Sequence, residues 1–265
     1  MGGSDSGWVF GVLVGSVRVS RNCWVHDTPG SSWRRRRGCR ACAKGTHVVT
    51  VNADPVLVEF ELLAGEISCP ACLVGVLGGW GFARSRSIVG VAGRLRPRRT
   101  RCGGCLVTHV LLPVVLLLRR AYLAELVWAA LVARAAGGGH RRIAVGLSVP
   151  ASTVRGWLRR MSGRVEAART TFLQNAVVVG VDVRIPAWAG SFWLDLVAAV
   201  DLAAGSLSAR FGLKPSAGRL SLALVASAGS GGRLLSPGWP VAAAACDATP
   251  VDPDAGGRGR AASRG

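Results

Sequence analysis

Four cysteines in the spacing C-x2-C-x29-C-x2-C, namely Cys69, Cys72, Cys102 and Cys105, constrain this chain of 265 residues more than any other feature. Two such pairs supply four thiolates, enough to close a tetrahedral structural zinc site with no open position for water or substrate. The metal expected there is a structural Zn2+ that holds shape and does no chemistry. Within each pair the chain must turn tightly so that backbone N–H groups face the sulfurs. Pro70 presets one φ angle, while Gly103 and Gly104 remove the Cβ barrier in the other pair. Around them residues 54–113 alternate apolar and polar positions, punctuated by Gly75, Gly78, Gly79, Gly81, Gly90 and Gly93. That pattern predicts short strands in a small β zinc ribbon.

Downstream the periodicity becomes helical. Residues 121–136 carry Leu123, Leu126, Val127, Ala130 and Leu131 at helical spacing and stop at Gly137-Gly138-Gly139. From His140 to Arg159, the positions of Ile143, Ala144, Leu147, Val149, Val154 and Trp157 are the core contacts of a twenty-residue helix-turn-helix. The departure is Ser148, at the turn position where a left-handed backbone favours glycine. Pro150 opens the second helix, whose missing N–H is harmless in the first turn. Val154, Trp157, Leu158 and Met161 then form its apolar face. Ala151, Ser152, Arg155, Gly156 and Arg159 point outward, as a recognition helix requires in the major groove. The small residues permit close approach; Arg155 and Arg159 are candidates for bidentate contact with guanine, and Arg141, Arg142 and Arg160 for phosphate.

The placement of charge supports this division. The net charge is +19, and 31 of the 33 basic residues are arginine, a bias that a very G+C-rich genome also produces. Position is therefore more informative than total. From Ile67 to Ala124 there is no acidic residue among nine arginines, and from Glu125 to Arg169 eight more meet only Glu125 and Glu166. From Thr170 to Pro250 the charges nearly cancel. A basic half joined to a near-neutral half is the footprint of a phosphate-binding module with a separate appendage.

Outside these segments the sequence is less structured. Residues 1–52 form a Gly-, Ser- and Arg-rich extension expected to be disordered, in which Cys23, His26, Cys39 and Cys42 have metal-like spacing but little to pack around an ion. Residues 170–240 are expected to form a helical appendage with a helix near Ser191 to Phe211 and an apolar segment around Leu220 to Ala228. That helix needs a partner surface, within the chain or on a second copy, and a homodimer would give two recognition helices. Residues 241–265 read as a disordered tail, with Cys246 a bystander thiol. The apolar run Leu106 to Leu118 contains His109 and Pro113 and is too short to span a bilayer. Met1 to Gly7 carries Asp5 and no basic residue, unlike an export signal. The expectation is a cytoplasmic, nucleoid-associated protein with no membrane contact and no small-molecule substrate.

The stretch from Cys69 to Phe172 resembles a family of zinc-ribbon and helix-turn-helix proteins common in high-G+C bacteria, related in layout to the N-terminal DNA-binding region of insertion-sequence transposases. The residues that carry the resemblance are Cys69-Pro-Ala-Cys72, Gly79-Trp-Gly81, Arg98-Arg-Thr-Arg-Cys-Gly-Gly-Cys105, Thr108-His-Val-Leu-Leu-Pro113, His140-Arg-Arg-Ile-Ala144 and Ser152-Thr-Val-Arg-Gly-Trp-Leu-Arg-Arg160. With Gly232-Arg-Leu-Leu-Ser-Pro237 it extends over residues 54–240. The resemblance implies a partner, double-stranded DNA, and a regulator or an accessory product of mobile elements.

The fold class expected is therefore mainly α with a small β zinc ribbon (54–113), a helix-turn-helix domain (119–169) and the helical appendage, and the function is non-catalytic DNA binding. The alternative is a transposase or a remnant of one, which needs three acidic ligands for two divalent metals. The candidates are Asp182, Asp195 and Asp201, with no glutamate beyond Glu166. Val177 to Asp182 reads as a strand delivering the first of them, but Asp195 and Asp201 share one expected helix and the remaining chain is short. A zinc-structured protein-interaction module is a third reading, viable only without nucleic-acid binding.

Overall fold

Chain breakers and apolar spacing divide the molecule into a sheet half and a helical half. The computed structural model describes residues 24–25, 34–35, 48–72, 74–180, 182–212 and 220–240. The second cysteine–histidine group, Cys246 and the 241–265 tail lie outside the described residues. Among those described, the fold is mainly helical, with seven helices and small sheets.

The strands are β1 (Trp24–Val25) and β2 (Arg34–Arg35), a short antiparallel pair, then β3 (Val48–Val51), β4 (Leu77–Phe82), β5 (Arg86–Ser87), β6 (Arg94–Leu95), β7 (Arg98–Cys102) and β8 (Thr108–Pro113). The main sheet has the order β3-β8-β7-β4, with β3 parallel to β8 and the other pairs antiparallel. The central strand β8 is apolar on both faces: Leu111 joins Val51, Leu77, Cys69 and Cys102 on one side, and Leu112 meets Ile88 and Leu116 on the other.

Two elements differ from the sequence reading. Val48–Val51, inside the extension expected to be disordered, is the edge strand β3, because Val51 closes the small core against Leu111. Residues 54–113 also contain a helix, α1 (Pro55–Leu63). Asp54 accepts a hydrogen bond from the Val56 amide, and Pro55 occupies the first turn. This N-cap and proline pair sets the helix start. Val58 and Leu62, four apart, then bury against the cysteine-bearing core.

The helices that follow are α2 (Ala124–Ala135), α3 (His140–Leu147), α4 (Ala151–Ser162), α5 (Val165–Val179), α6 (Phe192–Arg210) and α7 (Leu222–Gly229). Ser191 caps α6 by accepting from the Leu194 amide. All six contribute to one continuous apolar core that runs from Val114 to Trp239. The segment expected as a helical appendage thus contributes buried residues of α5, α6 and α7 to the same core as the helix pair before it. α7 and the segment after it fasten the helical half to the connection leaving β8: the Leu118 amide donates to the Gly232 carbonyl at 2.7 Å, Arg120 Nη2 to the Leu235 carbonyl at 2.9 Å, and Ser227 Oγ of α7 to the Leu116 carbonyl at 3.1 Å. Arg164 Nη1 bridges the carbonyls of Ser236 and Trp239, and the Trp239 ring lies 6.0 Å from that of Phe172.

Val177–Val179 ends α5 and is not the strand expected from its β-branched run. Burial of Val179 in the shared core outweighs the weak helix preference of valine. Phe192–Arg210 is the one described helix long and apolar enough to cross a bilayer, although the sequence pointed to a shorter run elsewhere. Its Leu196, Ala199, Val200, Ala203, Ala204 and Leu207 are buried in the core instead.

Candidate metal centre and basic face

The four cysteines converge because two tight turns face each other at one end of the sheet. The Cys69 amide donates to the Gly75 carbonyl at 2.7 Å and the Cys102 amide to the Val107 carbonyl at 3.0 Å, closing each turn, and the Gly103 amide donates to the Val76 carbonyl at 3.1 Å, joining them. All four sulfurs lie within 4.8 Å of one another, with Cys69–Cys105 and Cys72–Cys102 at 3.6 Å each. Tetrahedral bonds of about 2.3 Å to a common ion place sulfurs ~3.8 Å apart, so the cluster has the size to hold a metal. Amides of Ala71, Gly75, Gly104 and Cys105 point at the sulfurs of Cys69, Cys72, Cys102 and Cys102 respectively, at 3.3–3.4 Å. Such donors stabilise thiolate charge. A Cβ on Gly75 would lie 2.4 Å from Cys102 Sγ, so only glycine fits there.

The thiols differ electrostatically. The Cys105 amide, more than any other contact, brings Cys102 down to about 6, against the opposing effect of burial. Burial pushes Cys69 up to about 12 and also raises Cys105. Without a cation, four thiolates at this separation cannot coexist; a bound metal ion would supply the missing charge. One residue that sequence reasoning did not place here is His109. It is buried on β8 opposite Thr100, with Nε2 3.4 Å from Cys69 Sγ. In the tautomer with its proton on Nε2 the ring would donate to this sulfur, orienting it and tempering its charge as a metal ligand. The only signal was a histidine inside an apolar strand.

In the helical half, α3 and α4 are joined through Ser148, Val149 and Pro150. Ser148 takes the left-handed conformation, φ 52° and ψ 41°. Pro150 stands just before α4, at its N-cap. Ile143, Ala144, Val149, Val154 and Trp157 are buried, and Leu147 is half-buried against the same core. Arg141, Arg142, Ala151, Ser152, Arg155, Arg159 and Arg160 are exposed; Gly156 is half-buried.

Arg159 and Arg160 line an open cleft of about 370 Å³ together with Arg119, Arg120, Ser152 and Gly156. A Cβ on Gly156 would lie 3.0 Å from Arg160 Nη1, so the small residue lets that guanidinium cross the helix. Across the cleft Arg119 has φ 59°, and Tyr122 packs edge-on to Trp157 at 5.1 Å. Burial, then the charges of Arg160 and Arg164, pulls Arg120 below the usual arginine range. Among the described residues the ion pairs are Arg98–Glu59, Arg169–Glu166 and Arg169–Asp195, so no carboxylate neutralises this cleft. Sequence reasoning assigned roles to Arg159 and Arg160 and missed Arg119 and Arg120, which are some forty residues distant along the chain.

The three aspartates weighed for a divalent-metal site are not brought together. Asp195 is buried, accepts from the Ala189 amide at 2.9 Å and faces Arg169 at 3.8 Å, whereas Asp182 and Asp201 are exposed. Among the described residues, the four cysteines are the only group of three or more His, Cys, Asp or Glu side chains placed to share an ion. Comparison with known proteins finds no matching family model, no matching curated protein and no matching solved structure.

Proposed function

We propose that this protein binds double-stranded DNA through a helix-turn-helix made by α3 and α4, non-catalytically, as a regulator or a mobile-element accessory factor in the cytoplasm. The observation that carries this reading is the exposed face of α4: arginines and small residues alternate there, beside a cleft of unneutralised arginines. Arg155 and Arg159 stand at i and i+4 on that face, where side chains can reach base edges, and Ala151, Ser152 and Gly156 leave room for the groove wall. Arg141, Arg142 and Arg160 hold phosphates, joined by Arg119 from across the cleft. The cysteine cluster holds Zn2+, the ion suited to four thiolates in tetrahedral array, and it forms a zinc ribbon with β4, β7 and β8 that stiffens the sheet beside the helices. Exposed Ile185, Trp188, Phe192 and Leu194 form the face through which two copies pair.

Selection of bound sequences from a random duplex pool, using the full zinc-loaded chain, tests the reading. A defined motif is expected, relaxed at single positions in Arg155→Ala and Arg159→Ala. Uniform weak retention of all sequences, unchanged by either substitution, would overturn it.

A further inference from the structure

The cleft beside α4 concentrates more positive charge than a passing duplex backbone calls for. Arg119 and Arg120 on one side meet Arg159 and Arg160 on the other around about 370 Å³, and among the described residues no carboxylate pairs with any of them. The arginines are held in place by the surrounding fold. Arg119 has a left-handed backbone, φ 59°, a conformation that strains an arginine and would not strain glycine. Arg120 is fixed by donation from Nη2 to the Leu235 carbonyl at 2.9 Å. Arg160 crosses α4 over Gly156, where an added Cβ would come within 3.0 Å of its Nη1, and its carbonyl accepts from Arg164 Nε at 2.7 Å. Burial first, then the charges of Arg160 and Arg164, pull Arg120 below the usual arginine range. Guanidinium groups held this close without a counter-charge repel one another, and an anion bound among them removes that repulsion.

We infer that this cleft is a binding site for a free polyphosphate, the di- or triphosphate group of a small molecule. A duplex strand presents its phosphates singly, one charge each, strung along the axis. A triphosphate gathers several charges on one compact group, and guanidinium forks grip neighbouring phosphate oxygens in bidentate fashion. The size agrees, since small-molecule pockets run from roughly 300 to 1,000 Å³. Ser152 and Thr153, in the first turn of α4, line the same space and add hydroxyl donors at the positive end of the helix. A ligand seated there occupies Arg119 and Arg160, two of the groups assigned to duplex phosphates, and so antagonises DNA binding. That consequence rests on the duplex-binding reading; the site itself does not.

The experiment titrates inorganic tripolyphosphate calorimetrically into the full zinc-loaded chain, free of DNA, at about 0.15 M salt, where diffuse surface attraction is screened. One saturable site per chain is expected. Arg119→Ala with Arg160→Ala, both exposed side chains, is expected to weaken it at least about tenfold. Arg84→Ala with Arg99→Ala removes the same charge from exposed positions of the sheet half and is expected to leave the affinity within about twofold. Zinc content and circular dichroism establish that the variants are folded. In the unaltered protein, bound tripolyphosphate is expected to protect Arg119 and Arg160 from modification by phenylglyoxal, read by peptide mass spectrometry. Because the titration contains no DNA, a chain that bound no duplex would still show the site, and a chain that bound duplex without it would overturn this inference alone. Absence of a saturable site, equal weakening in the two double variants, or unprotected Arg119 and Arg160 would each overturn the proposal.

Discussion

Ser148 pays for the turn between α3 and α4 with a left-handed backbone that costs an L-residue roughly 1–2 kcal/mol. Ser148→Gly is therefore expected to raise the unfolding free energy by about 1 kcal/mol, seen as a higher urea midpoint at unchanged slope. No gain would mean that side-chain contacts of the serine offset the strain. Gly75 is the opposite case: a methyl group there would sit 2.4 Å from Cys102 Sγ, so Gly75→Ala is expected to lower the metal content that elemental analysis measures relative to the parent. The thiols also set a pH dependence. Cys102 is depressed to about 6, so stabilisation by its thiolate is present above the ordinary thiol range and is lost as pH falls through 6. Cys69 and Cys105, raised by burial, must shed protons to ligate, and metal binding near neutral pH should therefore release protons. Metal retained without loss well below pH 6, followed with a chromogenic chelator, would contradict thiolate ligation by Cys102. The cysteine spacing was legible in the sequence because it encodes two short turns. His109 was not, since its approach to Cys69 depends on the register of β8 against β7.

At the scale of elements, local signals located helices well when they were caps and breakers. Ser191 before α6 and the three glycines after α2 mark ends that the structure keeps. The Asp54-Pro55 pair was an equally good signal, overshadowed by the glycine-rich alternation that follows it. Val177–Val179 could not be assigned locally, because only Val179 of the run is buried, in the core that α6 and α7 share, while Val177 and Val178 are exposed. The same long-range packing makes residues 170–240 integral to the helical core. Ending the chain at Arg169 removes Phe172 and Ala176 from the core and leaves Arg164 without the carbonyls of Ser236 and Trp239. Such a truncation exposes the apolar faces of α2 and α4, and loss of several fully buried side chains costs roughly 2–5 kcal/mol each. The expected outcome is a chain with no cooperative thermal transition by circular dichroism. A truncated protein that melted cooperatively would show that the first half folds alone.

Across the whole molecule, the charge asymmetry visible in the sequence becomes a surface only when the connection after β8 brings Arg119 and Arg120 to α4. Chain position told which half was basic; it could not tell that residues forty apart share one cleft. Their roles nevertheless separate. Arg120 donates to the Leu235 carbonyl and helps lock the C-terminal segment, whereas no described carboxylate neutralises Arg119 or Arg160. Each phosphate contact releases condensed counterions, so Arg119→Ala and Arg160→Ala should each lower the slope of log affinity against log salt by about one unit, and weaken all duplexes alike. Arg155→Ala, on the outward face of α4, should instead cost roughly 1–3 kcal/mol on the preferred duplex and little on others, relaxing one position of the motif. Titrations of the preferred and a scrambled duplex at several salt concentrations resolve the two effects. If Arg119→Ala changed preference while Arg155→Ala changed only the salt slope, the groove would be read from the cleft, and α4 would lie along the backbone.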